Sequence, residues 1–153
     1  MKIIDNNGLN YLVKNKISLD EQFCITPDIK DEFEVEFGEK LPDNVYNIVE
    51  DDSFDRASYL KNYKDMLNKY KGRSFYNMTG FGDISILALL KTEKESSQNR
   101  LPSMKQECDV MTTDPGLTKR IKTEFADSAD EFDSKICIYT DREYFSKKSL
   151  VNE

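Results

Sequence analysis

Short apolar segments that end at turn or capping residues recur along this chain, and this pattern limits the folds open to it. Helical segments lie between them, so strand and helix alternate four or five times. That order favours a parallel sheet with helices on both faces. We therefore expect a single α/β domain over residues 1–153, a three-layer α/β/α fold with a central, mostly parallel sheet of four or five strands. The predicted strands are residues 2–4, 23–25, 109–112 and 136–139, with residues 45–49 as either a strand or an irregular connection.

Two helices are predicted in more detail. Thr26-Pro27 is a strong helix start, with the threonine as N-cap and the proline at the first helical position, and this helix ends near Gly38. A second helix is predicted from Asp55 to Lys71, because apolar residues recur there at helical spacing. The predicted buried stripe of this second helix is Leu60, Tyr63, Met66, Leu67 and Tyr70.

The chain contains no histidine, and this removes whole classes of chemistry. Ser-His-Asp catalysis, Cys-His catalysis and every His-ligated metal site are excluded. The three cysteines, Cys24, Cys108 and Cys137, have no CxxC spacing. That spacing argues against a disulfide framework or a cysteine zinc site and predicts reduced core residues. If the protein is an enzyme, its titrating groups are mostly carboxylates.

Acidic residues outnumber basic residues by 29 to 22, which gives a net charge of −7. This excess argues against broad, non-specific adhesion to nucleic acid or anionic lipid, although it leaves room for a local basic groove. No apolar run approaches the length of about 18 residues that a membrane span needs. Residues 1–9 lack the apolar core of a secretory signal. We expect a cytoplasmic protein with no membrane partner.

Several carboxylates follow predicted strands or open predicted helices. Asp5 and Asp114 each follow a strand, so in a parallel sheet they face one crevice beyond the carboxyl ends of the strands. Glu32 and Asp83 can reach the same crevice from helix starts. Each pair of carboxylates about 4 Å apart repels by roughly 4 kcal/mol at an effective dielectric of about 20. A hard cation among them, Mg²⁺ or Mn²⁺, would relieve this repulsion. The alternative is that these acids are ordinary turn and cap residues.

Four short segments, each containing one of these acids, carry a family resemblance. They are Ile3-Ile4-Asp5-Asn6-Asn7, Thr26-Pro27-Asp28-Ile29-Lys30-Asp31-Glu32, Thr79-Gly80-Phe81-Gly82-Asp83-Ile84-Ser85-Ile86-Leu87-Ala88 and Val110-Met111-Thr112-Thr113-Asp114-Pro115-Gly116-Leu117. In type and in order they resemble the four motifs of the PIN-domain (PilT N-terminus-like) nucleases. Residues 136–145 also resemble the family's closing strand and short helix, so the resemblance spans nearly the whole chain.

The resemblance implies a metal-dependent enzyme that hydrolyses phosphodiester bonds, usually in RNA. The implied catalytic residues, which are also the implied ligands of Mg²⁺ or Mn²⁺, are Asp5, Glu32, Asp83 and Asp114. Asp5 and Asp83 are expected to bind the ion directly, while the other two position a second ion or a water molecule. Asp31 or Glu36 could take the place of Glu32. Supporting roles at the substrate fall to Asn7 and Thr112.

Two basic clusters are candidates for binding RNA. The larger has tyrosines interleaved with the positive charges, a pattern that suits the phosphates and stacked bases of single-stranded RNA. The alternative for this cluster is a solvated helix face whose tyrosines pack on the core. Its members are Lys61, Lys64, Lys69, Lys71 and Arg73, of which Lys71 and Arg73 are the predicted substrate-binding residues. The second cluster is Lys119, Arg120 and Lys122.

Three functions are compatible with these features. The first is a Mg²⁺- or Mn²⁺-dependent endoribonuclease, acting alone or as the toxin half of a toxin–antitoxin pair. RNA is then the substrate, and the candidate protein partners are an antitoxin or other inhibitor and a second copy of the chain. The second function is a catalytically inactive PIN-like binding or interaction module. The third is a response-regulator-like phosphoacceptor domain, which also places acids after parallel strands but expects a paired acid after the first.

Overall fold

Strands and helices alternate throughout the computed structural model, which describes residues 1–38, 40–70, 80–98, 108–125 and 136–140. The strands are β1 (Lys2–Ile4), β2 (Phe23–Ile25), β3 (Val45–Asn47), β4 (Cys108–Met111) and β5 (Ile136–Tyr139). The helices are α1 (Asn6–Lys14), α2 (Pro27–Phe37), α3 (Arg56–Tyr70), α4 (Phe81–Gln98) and α5 (Pro115–Phe125), with a short 3-10 helix at Ile48–Glu50.

The strands form one parallel sheet in the order β3-β2-β1-β4-β5. In the central register, Ile3 of β1 lies opposite Cys24 of β2 and Val110 of β4. The chain first builds outward from β1 to β3 and then crosses back to place β4 on the other side of β1. The strand order therefore reverses between β1 and β4. This arrangement confirms the expected three-layer α/β/α fold, and it resolves residues 45–47 as a strand.

The core lies on both faces of the central strands. Ile3 and Ile4 point to opposite faces of β1, and both are fully buried, as expected for a parallel sheet covered by helices on each side. In α4 every residue from Ile84 to Leu90 is buried. A helical segment that is buried all round lies at the centre of its layer, and α4 packs there against α3, α2 and α5.

The boundaries of α2 agree with the local sequence signals. Thr26 is the N-cap, and its side-chain oxygen accepts a hydrogen bond of 3.3 Å from the amide of Ile29. Pro27 occupies the first helical position, where its missing N–H costs no helical hydrogen bond. Gly38 ends the helix with φ +59°, a left-handed conformation that glycine adopts without strain.

The predicted buried stripe of α3 is wrong at Leu60, whose side chain is 64% exposed. The residues that α3 buries are Tyr59, Asn62, Met66 and Tyr70. Asn62 faces inward because its amide donates hydrogen bonds to Thr92 (3.0 Å) and Glu95 (3.3 Å) of α4. A polar residue therefore takes a core position, and the helix is rotated relative to the stripe that hydrophobicity alone predicts.

The cysteines are free thiols, as predicted; Cys24 in β2 and Cys108 in β4 are core residues, whereas Cys137 in β5 is only half-buried. Burial raises the pKa of the Cys24 thiol to about 12, so it stays protonated and chemically inert.

Of the helices that the structure describes, none is long and apolar enough to cross a membrane.

Candidate functional site

A cleft of about 560 Å³ opens beyond the carboxyl ends of β1 and β4. Asp5 enters it directly after β1, and Asp114 enters it after β4. Glu32 reaches it from α2, and Asp83 reaches it from the first turn of α4. The structure thus places all four predicted acids at one cleft, although 27 to 51 residues separate each from the next along the chain. The cleft lies where the strand order reverses, which is the usual ligand position in open parallel sheets.

The wall of this carboxylate cleft is strongly acidic. Among its described lining residues there is neither lysine nor arginine, and six carry carboxyl groups. The six are Asp5, Asp31, Glu32, Glu36, Asp83 and Asp114. Because the described wall has these carboxyl groups and no basic side chain, the cleft has a negative potential. Such a potential attracts cations and repels anions.

Asp5 is held in place by two donors. Its Oδ1 accepts a hydrogen bond of 2.8 Å from the amide of Gly8, so Asp5 is the N-cap of α1. Its Oδ2 accepts a hydrogen bond of 2.5 Å from the Thr112 hydroxyl. Burial, which leaves the residue 6% exposed, raises the pKa of Asp5 above its usual value. The hydrogen bonds from Thr112 and Gly8 oppose this rise, while the charge of Asp114 adds to it.

Asp114 is fixed in a similar way at the start of α5. Its Oδ1 accepts hydrogen bonds from the amides of Gly116 (2.8 Å) and Leu117 (3.4 Å). Its own amide donates to Thr112 Oγ1 at 3.0 Å. Because the same Thr112 hydroxyl donates to Asp5, one buried threonine fixes the two acids that follow the neighbouring strands β1 and β4.

Glu32 lies against the start of α4. Its carboxylate accepts a hydrogen bond from the amide of Gly82, and a Cβ at position 82 would lie only 3.0 Å from Glu32 Oε1. A glycine at position 82 therefore lets the carboxylate approach the helix end closely. Burial raises the pKa of Glu32, the Gly82 amide lowers it, and the charges of Asp28, Glu36 and Asp5 raise it further.

A buried hydroxyl pair behind the cleft was not identified from the sequence. Ser85 Oγ donates to the carbonyl of Gly82 at 2.6 Å, and Thr26 Oγ1 lies 2.6 Å from the same serine oxygen. Both side chains are fully buried, and they join the start of α2 to the first turn of α4. Thr26 was identified only as a cap. The one available signal for its partner was a serine within the apolar run of α4.

The other residues that the sequence predicted for the site do not all line the cleft. Asn7 lines the cleft, whereas Thr112 lies behind it and acts through Asp5 and Asp114. Glu36 also lines the cleft, but its Oε2 accepts hydrogen bonds from Asn6 (3.0 Å) and Asn10 (3.4 Å) of α1. Lys71 and Arg73 lie outside the described residues.

The donor set of the cleft is suited to a hard divalent cation. Its charged groups are all carboxylates, the oxygen ligands that Mg²⁺ and Mn²⁺ prefer. Asn6 adds a buried Oδ1 with no hydrogen-bond partner among the described residues. Within those residues, no three Asp, Glu or Cys side chains are gathered tightly enough to enclose an ion as they stand. The lining acids that would have to come together around an ion are Asp5, Glu32, Asp83 and Asp114.

Comparison of the chain with protein-family models, with curated proteins and with solved structures finds no match. The geometry and charge of the cleft, together with the order of the sequence motifs, are therefore the basis for assigning a function.

Proposed function

We propose that the protein is a Mg²⁺- or Mn²⁺-dependent endoribonuclease and that the carboxylate cleft is its active site. One observation carries the proposal: four acids from separate elements line one cleft at the strand-order reversal, and the described wall of that cleft contains no lysine or arginine. Such a concentration of negative charge is stabilised by a divalent cation. The resemblance of the four motifs to those of PIN-domain nucleases supports RNA as the substrate.

Asp5 and Asp83 are proposed as direct ligands of the ion. The Mg²⁺ or Mn²⁺ that they would hold would supply a water molecule of lowered pKa and neutralise charge on the phosphoryl oxygens. Asp5 contributes a carboxylate whose orientation is already set by Gly8 and Thr112. This orientation removes part of the entropy cost of placing a ligand.

Glu32 is proposed to accept a proton from the attacking water, with Asp114 positioning that water or a second ion. A general base works best when its pKa is near the operating pH, and burial moves the pKa of Glu32 upward in that direction. The Gly82 amide donates to this carboxylate and fixes its orientation at the start of α4. No histidine is needed for this proton transfer.

Asp83→Asn tests this function. Purified protein is incubated with a mixture of RNAs in Mn²⁺ and, separately, in EDTA, and the products are separated on a denaturing gel. We expect cleavage by the unmodified protein in Mn²⁺ only, and none by the variant. The variant without metal should be as stable as the unmodified protein or more so, because one repelling charge is gone.

The exposed Asp52 provides the matched control, because Asp52→Asn makes the same charge change away from the cleft. This control should retain Mn²⁺-dependent cleavage. If Asp83→Asn keeps its activity and instead loses about 0.5–2 kcal/mol of stability, the residue is a structural cap and the assignment is wrong.

A PIN-like binding module without catalysis is the second candidate. It is favoured by the hydrogen bonds of Asp5, whose two carboxylate oxygens both have protein donors. Under this alternative the protein retains RNA on a filter in Mn²⁺ and in EDTA alike, and full-length RNA is recovered from both.

A further inference from the structure

A second cleft lies beside the first, against one face of α5. It has a volume of about 740 Å³. Its α5 wall is a single helix face, because the residues recur with spacings of three and four. These residues are Pro115, Thr118, Lys119, Lys122 and Thr123, and the facing wall is Thr112, Thr113 and Thr140. We infer that this α5 groove binds the phosphodiester backbone of an RNA strand next to the scissile phosphate, an inference that rests on the proposed function.

The charge of the α5 groove is opposite to that of the carboxylate cleft. Lys119 and Lys122 are its charged lining residues, and its described wall contains no acid. Both lysines are exposed, and neither forms an ion pair with a described residue. The other face of α5 is anchored in the core by Leu117, Ile121 and Phe125, so the helix keeps its lysines turned to the groove.

The rival basic cluster on α3 is less available for RNA. Lys69, one of its members, is already paired with Glu124 of α5 at 2.7 Å. The hydroxyl of the neighbouring Tyr70 also donates to Glu124, and Arg120 stacks over the Tyr70 ring at 5.1 Å. These contacts join α3 to α5 and favour a structural role for this part of the cluster.

Consecutive residues around Asp114 line the two clefts. Asp114 lines the carboxylate cleft, while its chain neighbours Thr113 and Pro115 line the α5 groove. Adjacent Cα atoms are about 3.8 Å apart. Lys119 and Lys122 lie about 7.5 and 12 Å further along α5, at 1.5 Å per residue. A strand whose phosphate lies at the acids and that extends along α5 would therefore come within reach of both lysines.

Recognition in the α5 groove depends on charge. The Thr118 hydroxyl donates to the carbonyl of Asp114, and the Thr123 hydroxyl donates to the carbonyl of Lys119. Thr112 donates to Asp5. These three hydroxyl protons are committed within the protein, and the two lysines are the charged groups of the described wall that attract phosphate. Lysine contacts to phosphate carry no sequence information and weaken steeply with salt.

The test compares two double variants. The groove variant is Lys119→Gln/Lys122→Gln, and the control is Lys14→Gln/Lys16→Gln. The control removes the same charge from exposed lysines at the far end of α1 from the cleft. Binding of a fluorescent single-stranded RNA is followed by anisotropy in EDTA over a range of salt concentrations. We expect the groove variant to bind about tenfold more weakly at low salt, with a salt slope smaller by about 1.4, which is about 0.7 per phosphate contact. The control should change neither quantity.

Cleavage kinetics in Mn²⁺ separate this inference from the proposed function. The groove variant should raise KM and leave kcat unchanged, because it removes binding and not chemistry. Equal binding by the groove variant and the control, or no RNA binding by the unmodified protein, would overturn the inference even if RNA is cleaved. If no RNA is cleaved but the difference in binding remains, the ribonuclease proposal fails and the groove stands.

Discussion

The Thr112 hydroxyl accepts the amide proton of Asp114 and donates its own proton to Asp5, with distances of 3.0 and 2.5 Å. Thr112 is buried, so these bonds are shielded from water. Through this one side chain the acids after β1 and β4 take a fixed position relative to each other. Thr112 is therefore a positioning residue, although it does not line the carboxylate cleft.

Thr112→Val tests that role while keeping the β-branched shape. The variant leaves Asp5 Oδ2 without its donor in a buried position, at a cost of about 1–3 kcal/mol. We expect a lower midpoint of thermal unfolding and weaker Mn²⁺ affinity. Thr112→Ser keeps the hydroxyl, so its midpoint of thermal unfolding and its Mn²⁺ affinity should fall much less. If valine and serine have the same effect, the hydroxyl does not position the acids.

At the residue scale, the sequence was sufficient to find the acids but not the hydrogen bonds that hold them. Asp5 and Asp114 are visible because they follow apolar runs that end abruptly. The contact of Glu32 with Gly82 joins residues 50 positions apart, so no local pattern encodes it. Hydrogen-bond partners of this kind are known only once the chain has folded.

At the scale of elements, α2 and α4 are joined by Thr26 and Ser85 at the back of the carboxylate cleft. Each element supplies one of the candidate acids, Glu32 and Asp83. Any shift between the two helices would change the separation of those carboxylates. The buried hydroxyl pair is therefore expected to influence metal binding without touching the metal.

Ser85→Ala removes the acceptor of the Thr26 hydroxyl and the donor to the Gly82 carbonyl. We expect a loss of about 1–3 kcal/mol in the free energy of unfolding, because buried polar groups are left unpaired. Chemical denaturation measures this loss directly. Ser18→Ala, at an exposed loop position, should change the stability by less than about 0.5 kcal/mol. An unchanged stability in Ser85→Ala would show that the pair does not join the helices.

The elements differ in how well sequence predicts them. The start and end of α2 are encoded locally by Thr26-Pro27 and Gly38, so they were predicted correctly. Which face of α3 is buried depends on its contacts with α4. In α4, Thr92 and Glu95 accept hydrogen bonds from Asn62. Leu60 was therefore assigned to the wrong side, because a hydrophobic pattern contains no information about a polar partner.

For the whole molecule, the topology explains how scattered acids form one site. Strands β1 and β4 are neighbours in the sheet but more than 100 residues apart in the chain. Their carboxyl ends bring Asp5 and Asp114 together, and the helices contribute the other two acids. The net charge of −7 is thus unevenly placed, with an acidic cleft next to a lysine-lined groove.

The pH dependence of stability follows from the raised pKa of Glu32. As pH rises past the ordinary pKa of 4.5, the unfolded chain loses this proton before the folded protein does. The metal-free protein therefore loses stability as pH rises through that window. Glu32→Gln, which cannot ionise, should melt higher than the unmodified protein by a margin that grows as pH rises through 4.5. A margin that shrinks as pH rises would contradict the direction of this pKa shift.

The central claim is that the carboxylate cleft binds a divalent cation, and the most direct measurement is thermal unfolding with and without Mn²⁺. At a concentration about 100 times the dissociation constant, binding adds about 2.7 kcal/mol to the native state. For a chain of this length that raises the midpoint by about 5–10 °C. Asp52→Asn should show the same rise, and Asp83→Asn should show almost none. No rise in the unmodified protein at millimolar Mn²⁺, or an equal rise in Asp83→Asn, would contradict the claim.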